Sequence, residues 1–171
     1  MDNQFSESVE AILHAAGWYP GRKVDALSGI VSPFTLFSAA EEVLTEFGGL
    51  HFGSCGPGTD CAASDVEIRA DFTNHLAPEL IRYEQSLNTR LFPIGFFQHG
   101  HGYLIIDSDG SIYVLSAMSG EFRPFAPNFS EALESLLFGV KIAPKEEVLT
   151  DMFMRLTKMG LMAQQESDND A

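Results

Sequence analysis

Two histidines, His99 and His101, have the spacing in this chain that most resembles a metal site. One residue separates them, so an extended backbone would place both rings on one face, and a third ligand could complete a zinc site. His51, Cys55 and Cys61 could contribute, but five residues separate the cysteines where zinc motifs have two to four. We therefore interpret the histidine segment as a polar loop between strands and predict no metal and no cofactor. A small metal-dependent enzyme using His99 and His101 remains the alternative.

Other segments that resemble catalytic or ligand-binding motifs are incomplete. Residues 107–110 (Asp-Ser-Asp-Gly) match the opening of a calcium loop, but the position that requires glutamate is Met118. Residues 53–59 are rich in glycine but lack the Gly-Lys-Ser/Thr ending of a phosphate loop. Ser28 and Ser54 have no recognisable nucleophile context. The sequence thus predicts a protein that is not an enzyme and has no catalytic residues.

The elements that position these residues can be predicted from apolar periodicity and turn residues. Helices are predicted over residues 5–16, 32–47, 74–87, 130–138 and 145–162, with Ser32 and Ser130 as N-caps. Strands are predicted over residues 50–52, 66–70, 91–97, 103–106, 112–115 and 121–125, with a loop or a short extended piece over 21–31 and a loop over 53–64. The expected fold is α+β, a central, mostly antiparallel sheet flanked by helices. We expect a single domain over residues 5–163 and an acidic, disordered tail over 164–171.

Composition narrows the classes of function. The 171 residues carry 24 acidic and 10 basic side chains, a formal net charge of −14, which would repel a phosphate backbone and favours a basic protein partner. No apolar run approaches the roughly 20 residues of a membrane span. The first four residues lack the basic and apolar regions of a secretion signal, so we expect a cytoplasmic protein with reduced cysteines. The oligomeric state stays open, because the predicted last helix could cover the core or pair with a second copy.

The segment Ala-Gly-Trp-Tyr-Pro-Gly-Arg over residues 16–22 is the most informative one in the chain. Pro20 and Gly21 predict a tight turn after the first helix, which would hold Trp18 and Arg22 in fixed positions. These two side chains could form a binding hot spot. We favour a structural role, with Trp18 at the sheet edge and Arg22 paired with a helix C-terminus or a carboxylate.

This turn and three later segments resemble one family. The later segments are residues 46–50 (Glu-Phe-Gly-Gly-Leu), residues 91–95 (Leu-Phe-Pro-Ile-Gly) with their continuation at 104–107 and 110–113, and residues 130–139. In this order, and over about residues 11–139, they resemble the SUKH superfamily and within it the third SUKH subfamily. Residues 55–61 and the methionine-containing last helix look particular to this chain.

The resemblance implies an immunity protein of bacterial polymorphic toxin systems. Such a protein binds a cognate toxin domain, typically a nuclease or a deaminase, and blocks it inside the producing cell without catalysis. The family-motif positions are Gly17, Trp18, Gly21, Arg22, Phe47, Gly48, Gly49, Leu50, Pro93, Gly95, Asp107 and Gly110.

A basic toxin is the expected partner, with no direct contact to nucleic acid or membrane. We place the contact surface on acidic and aromatic side chains of the sheet and its loops: Asp60, Asp65, Glu67, Asp71, Phe96 and Phe97. A regulatory scaffold that binds a host protein is the remaining alternative.

Overall fold

The computed structural model describes residues 5–26, 32–71 and 73–142, and these form an α+β fold as predicted. Six strands form one sheet in the order β1-β2-β3-β4-β5-β6, and every neighbouring pair is antiparallel. The strands are β1 His51–Pro57, β2 Ala62–Ile68, β3 Leu91–Phe97, β4 Gly102–Asp107, β5 Ile112–Ser116 and β6 Phe122–Ala126. The helices are α1 Glu7–Ala15, α2 Ser38–Phe47, α3 Ala77–Leu87 and α4 Phe129–Phe138. In the described part of the chain, no helix has the length and apolar character that crossing a bilayer requires.

Three helices cover one face of the sheet and bury the main core against it. Phe47 of α2 is fully buried and contacts the rings of Phe5, Trp18 and Phe129, which joins α1, α2 and α4. Phe92 of β3 points to the same side, where Phe34 and Phe37 pack edge-on against it. Each of these rings removes a large apolar area from water, and this burial stabilises the fold.

Helix α3 lies on the opposite face, over the β6 side of the sheet. Tyr83 of α3 stacks on Phe122 with ring centroids 4.1 Å apart, and Phe122 stacks on Tyr113 of β5 at 5.3 Å. Because side chains alternate along a strand, this face also carries Tyr103 of β4 and Phe96 of β3, which pair directly across the strands. On the β1–β2 side of the same face, the side chains of His51, Arg69 and Glu67 are 61 %, 44 % and 41 % exposed.

Two predicted helix starts are wrong. The second helix begins at Ser38 and not at Ser32: its N-cap Phe37 has an extended backbone (φ −138°, ψ 164°), and Phe34 and Phe37 both pack on Phe92 in the core. Ser32 instead caps a local turn, accepting a hydrogen bond from the Phe34 N–H. Helix α4 is capped by Asn128 and not by Ser130, since the Asn128 side chain accepts from the Glu131 N–H at 2.9 Å.

The predicted loop over residues 53–64 is also wrong, because most of it belongs to the β1–β2 hairpin. A bulge between Gly53 and Gly56 lets the strand continue through a glycine-rich sequence that local propensity assigns to a loop. The helix predicted over residues 145–162 and the tail over 164–171 lie outside the described residues, and the domain limits remain predictions.

Candidate functional site

Trp18 is buried, with 6 % of its surface exposed. Its ring stacks on Phe47 at 6.0 Å, and its indole N–H donates to the Glu46 carboxylate at 3.0 Å. It lies between α1 and the end of α2 and not at the sheet edge, where we expected it. A tryptophan with its ring packed and its N–H satisfied stabilises the fold and has little surface left to offer a partner.

Arg22 holds the end of α2. Its guanidinium donates to the carbonyl oxygens of Glu46 at 2.6 Å and Gly48 at 2.9 Å, which have no partner within the helix. The positive charge also lies at the negative end of the helix dipole. Gly17 (φ +96°) and Gly21 (φ +78°) supply the left-handed backbone that the turn requires. These contacts support the structural interpretation of Arg22.

The Gly48–Gly49 pair joins α2 to the sheet. A Cβ at Gly48 would lie 2.3 Å from the Ala26 Cβ, so this position requires glycine. Gly49 has a φ of +77° and donates its N–H to the Ile68 carbonyl at 2.8 Å. The neighbouring apolar motif residues, Phe47 and Leu50, are buried.

Gly95 permits the close approach of β2 and β3. A Cβ there would lie 2.3 Å from the Glu67 carbonyl oxygen. Pro93 precedes it in the same strand, and a bulge between the two shifts the pairing with β4. Pro93 and Gly95 therefore set the register of β3, which places Phe96 directly opposite Glu67 of β2.

The buried Asp107 carboxylate stabilises the turn of the β4–β5 hairpin through hydrogen bonds. Its carboxylate accepts from the N–H groups of Asp109 and Ser111, both at 2.9 Å, and from the Tyr113 hydroxyl at 3.1 Å. Burial raises the pKa of Asp107, and these hydrogen bonds lower it by less, so the net direction is upward. Gly110 (φ +91°) completes the turn. The residues of the calcium-like segment are engaged in a hairpin turn, the interpretation that its sequence favours.

On the face opposite α1, α2 and α4, a group of exposed and half-exposed side chains at or next to strands β2 to β4 forms what we call the open face: Glu67, Arg69, Asp71, Phe96 and Tyr103. Glu67 pairs directly with Phe96 across β2 and β3, and Phe96 pairs with Tyr103 across β3 and β4. The Phe96 and Tyr103 rings lie 5.4 Å apart. Glu67 is 41 % exposed. Carboxylates and partly exposed rings thus share one surface.

Arg69 binds both carboxylates of the open face. Its guanidinium forms two hydrogen bonds to Asp71, at 2.6 and 2.5 Å, and one to Glu67 at 3.1 Å. The hydrogen bonds to Arg69 lower the pKa of Asp71, and they raise the pKa of Arg69 itself. The three side chains leave one net negative charge on this part of the surface.

The remaining predicted contact residues lie elsewhere. Asp60 is exposed in the β1–β2 turn, where its carboxylate accepts from the Lys141 N–H at 2.9 Å. Phe97 is half-buried against the core on the helix-covered face, because it follows Phe96 along the strand. Asp65 is buried, with 6 % of its surface exposed. The structure therefore brings Glu67, Asp71 and Phe96 together on one surface and does not bring the other three to it.

Asp65 lies at the centre of a second group, which we call the polar corner: His51, Cys55, Asp65 and His99. One carboxylate oxygen of Asp65, Oδ2, lies 2.9 Å from His51 Nε2 and 3.1 Å from His99 Nδ1. The other, Oδ1, accepts from the Cys55 thiol at 3.1 Å and from the His99 N–H at 2.8 Å. Sequence reasoning named His51, Cys55 and His99 as candidate ligands but assigned Asp65 to the partner-contact surface and not to this group.

The surroundings of the polar corner shift two pKa values in opposite directions. Burial alone raises the pKa of Asp65, but the hydrogen bonds with Cys55, His51 and the His99 N–H bring it well below its usual range. A hydrogen bond with the Asp65 backbone lowers the pKa of the Cys55 thiol, but burial and the adjacent carboxylate raise it by more. Asp65 is therefore ionised and Cys55 protonated at neutral pH.

His99 and His101 do not share a face of an extended segment. Gln98 and His99 both have a φ of +54°, and residues 98–101 form a turn between β3 and β4. Cys61 is also separate from the polar corner, with its thiol directed to the Gly139 carbonyl at 3.4 Å. The sequence therefore identified His99 and Cys55 as candidate ligands, but it grouped them with His101 and Cys61, which do not belong to the polar corner.

Comparison with known proteins gives one match to a protein family. Residues 5–139 match the family described as SUKH-3 immunity protein. No curated protein and no solved structure matches the chain. The matched region contains all the described secondary structure, including the Trp18–Arg22 turn, the Gly48–Gly49 pair and the Asp107 hairpin. The chain belongs to the SUKH-3 immunity protein family.

Proposed function

We propose that this immunity protein binds one cognate toxin domain, a nuclease or a deaminase with a basic surface, and neutralises it by covering that surface in the cytoplasm of the producing cell. The observation that carries the proposal is the open face, where aromatic rings and carboxylates lie side by side on strands β2 to β4 and in the segment that follows β2. The proposal requires no bond to be made or broken by this chain.

The aromatic part of the open face has the chemistry of a binding hot spot. The Phe96 ring lies 5.4 Å from the Tyr103 ring, and the His75 ring lies 5.6 Å from it. Rings that are partly exposed and held by neighbours lose little conformational entropy on binding. Aromatic residues also dominate the buried centres of protein interfaces. Phe96 is therefore the proposed anchor.

The charged part of the open face supplies specificity for a basic partner. Glu67 and Asp71 share Arg69, so each carboxylate keeps an oxygen or lone pair for a further donor. An arginine or lysine of the toxin can join this network without an isolated charge being buried. The net charge of −14 adds long-range attraction, which speeds association with a basic surface.

A nuclease or deaminase that acts on nucleic acid needs cations to hold phosphates. Covering that basic surface denies the toxin its substrate, and inhibition follows from occupancy alone. Occlusion also gives the two parts of the molecule separate roles. The buried family-motif residues stabilise the fold, and the open face contacts the toxin.

Co-expression with the toxin encoded beside this chain tests the proposal. The wild-type chain is expected to protect the cell and to co-elute with the toxin on gel filtration. Phe96→Ala is expected to weaken the complex by about thirtyfold, the effect of losing a 2 kcal/mol hot spot.

Phe125→Ala is the matched control, because Phe125 is also a half-buried phenylalanine of a strand but lies on β6. It should leave binding unchanged. A wild-type chain that neither protects nor co-elutes defeats the proposal, and equal effects of the two variants defeat the assignment of the open face.

A further inference from the structure

The polar corner joins three segments that are distant in sequence: strand β1, strand β2 and the turn between β3 and β4. The ligand-type atoms of Cys55, Asp65 and His99 lie within 4.8 Å of one another. His51 adds a second imidazole, with Nε2 2.9 Å from Asp65 Oδ2. A thiol, a carboxylate and two imidazoles in one small volume are the donor types that zinc sites use.

We propose that the polar corner binds a divalent transition metal ion of the zinc type, with Cys55, Asp65 and His99 as ligands and His51 at the fourth position. This inference does not rest on the proposed function. Ligand atoms of a tetrahedral zinc site lie roughly 3.3–3.7 Å apart, given bonds of about 2.0–2.3 Å. The observed separations of 2.9 to 3.1 Å are hydrogen-bond distances. Small outward shifts of the side chains convert them to metal coordination.

The backbone holds these donors in place. The bulge between Gly53 and Gly56 sets two residues of β1, Ser54 and Cys55, against one residue of β2, and the Cys55 thiol there reaches Asp65. His99 has a φ of +54°, a conformation that residues with side chains rarely adopt. Its own N–H donates to Asp65 Oδ1, the type of hydrogen bond that orients a ligating carboxylate.

The donor set selects the class of metal. Calcium and magnesium prefer oxygen ligands alone, whereas one sulfur, two nitrogens and one oxygen suit Zn²⁺ and its spectroscopic substitute Co²⁺. Asp65 is buried while the His51 and His99 side chains are 61 % and 68 % exposed. The ion therefore has a route from solvent past the imidazoles, and it would bind with release of the Cys55 proton.

Titration of the untagged full chain with Zn²⁺ and Co²⁺ tests the proposal. We expect one ion per chain at micromolar free metal, and a thiolate-to-cobalt charge-transfer band in the near ultraviolet. Cys55→Ser should remove this band and weaken zinc binding by at least about tenfold. His99→Gln should weaken binding similarly, because it removes a second ligand from another segment.

The matched controls are Cys61→Ser and His101→Gln, which change the other cysteine and the neighbouring histidine. Both should bind metal like the wild-type chain. The proposal is overturned by substoichiometric metal at micromolar concentration, by a cobalt complex without the charge-transfer band, or by equal losses in the control and ligand variants. Circular dichroism of each variant without metal separates loss of a ligand from loss of the fold.

Discussion

Substitution of Arg22 by alanine separates a structural role of the Trp18–Arg22 turn from a role in binding. The change removes two charge-assisted hydrogen bonds, of 2.6 and 2.9 Å, to the carbonyls of Glu46 and Gly48. Such bonds contribute about 1.5–3 kcal/mol each, but water can reach this half-buried site and replace part of that energy. We therefore expect Arg22→Ala to lower the free energy of unfolding by about 2 kcal/mol and the melting temperature by about 4–8 °C.

Urea denaturation at 25 °C, followed by circular dichroism and by fluorescence of the single tryptophan, measures this change. Arg22→Lys should recover about half of the loss, because an ammonium can reach one carbonyl but lacks the planar fork. Lys23→Ala is the control, since Lys23 is the exposed neighbouring cation. The folded Arg22→Ala chain should bind toxin like the wild-type chain. A stability change under about 0.5 kcal/mol together with weakened binding would refute the structural role.

Three further substitutions test other parts of the account. Glu67→Lys should slow association with the toxin by about tenfold. Glu42→Lys, the same charge change at an exposed position of α2, should have a much smaller effect in stopped-flow measurements. Gly95→Ala should lower the free energy of unfolding in urea by about 1–3 kcal/mol, because the new Cβ would lie 2.3 Å from the Glu67 carbonyl oxygen. Gly56→Ala is the control and should change it little, because a Cβ there has no atom within 4 Å. Burial raises the pKa of Asp107 in the folded chain above its unfolded value of about 4, so the folded chain binds this proton more tightly than the unfolded chain does. The resulting contribution to the free energy of unfolding is complete below about pH 4 and is lost as pH rises through the folded pKa. Asp107→Asn should therefore gain stability relative to the wild-type chain as pH rises from about 4 through the folded pKa, and a constant difference would contradict the raised pKa.

Periodicity and turn residues were sufficient to predict strands β3 to β6 and several ends of helices. The hairpin at residues 107–110, the edge strand β6 and the helix end at Gly139 are each confirmed, because each depends on local signals: a turn sequence, alternation of apolar residues and a glycine stop. The end of α2 at Phe47 is confirmed for the same reason.

Features that depend on tertiary contacts were not predicted. Residues 34–37 precede α2 in a non-helical backbone that packs Phe34 and Phe37 on Phe92, a contact between segments more than 50 residues apart that no local rule contains. Asp65 was not grouped with His51, Cys55 and His99, because the bulge after Gly53 alters which side chains of β1 meet Asp65. A bulge depends on pairing with another strand, and the sequence of one strand does not reveal it.

Inhibition of the purified cognate toxin, titrated with this chain at concentrations well above the dissociation constant, tests the central claim most directly. Occlusion predicts that toxin activity falls linearly and reaches zero at one chain per toxin, with both proteins recovered intact from the complex. Inactivation by far less than one equivalent, or a toxin that stays modified after the chain is removed, would show that this protein acts by catalysis and would contradict the account.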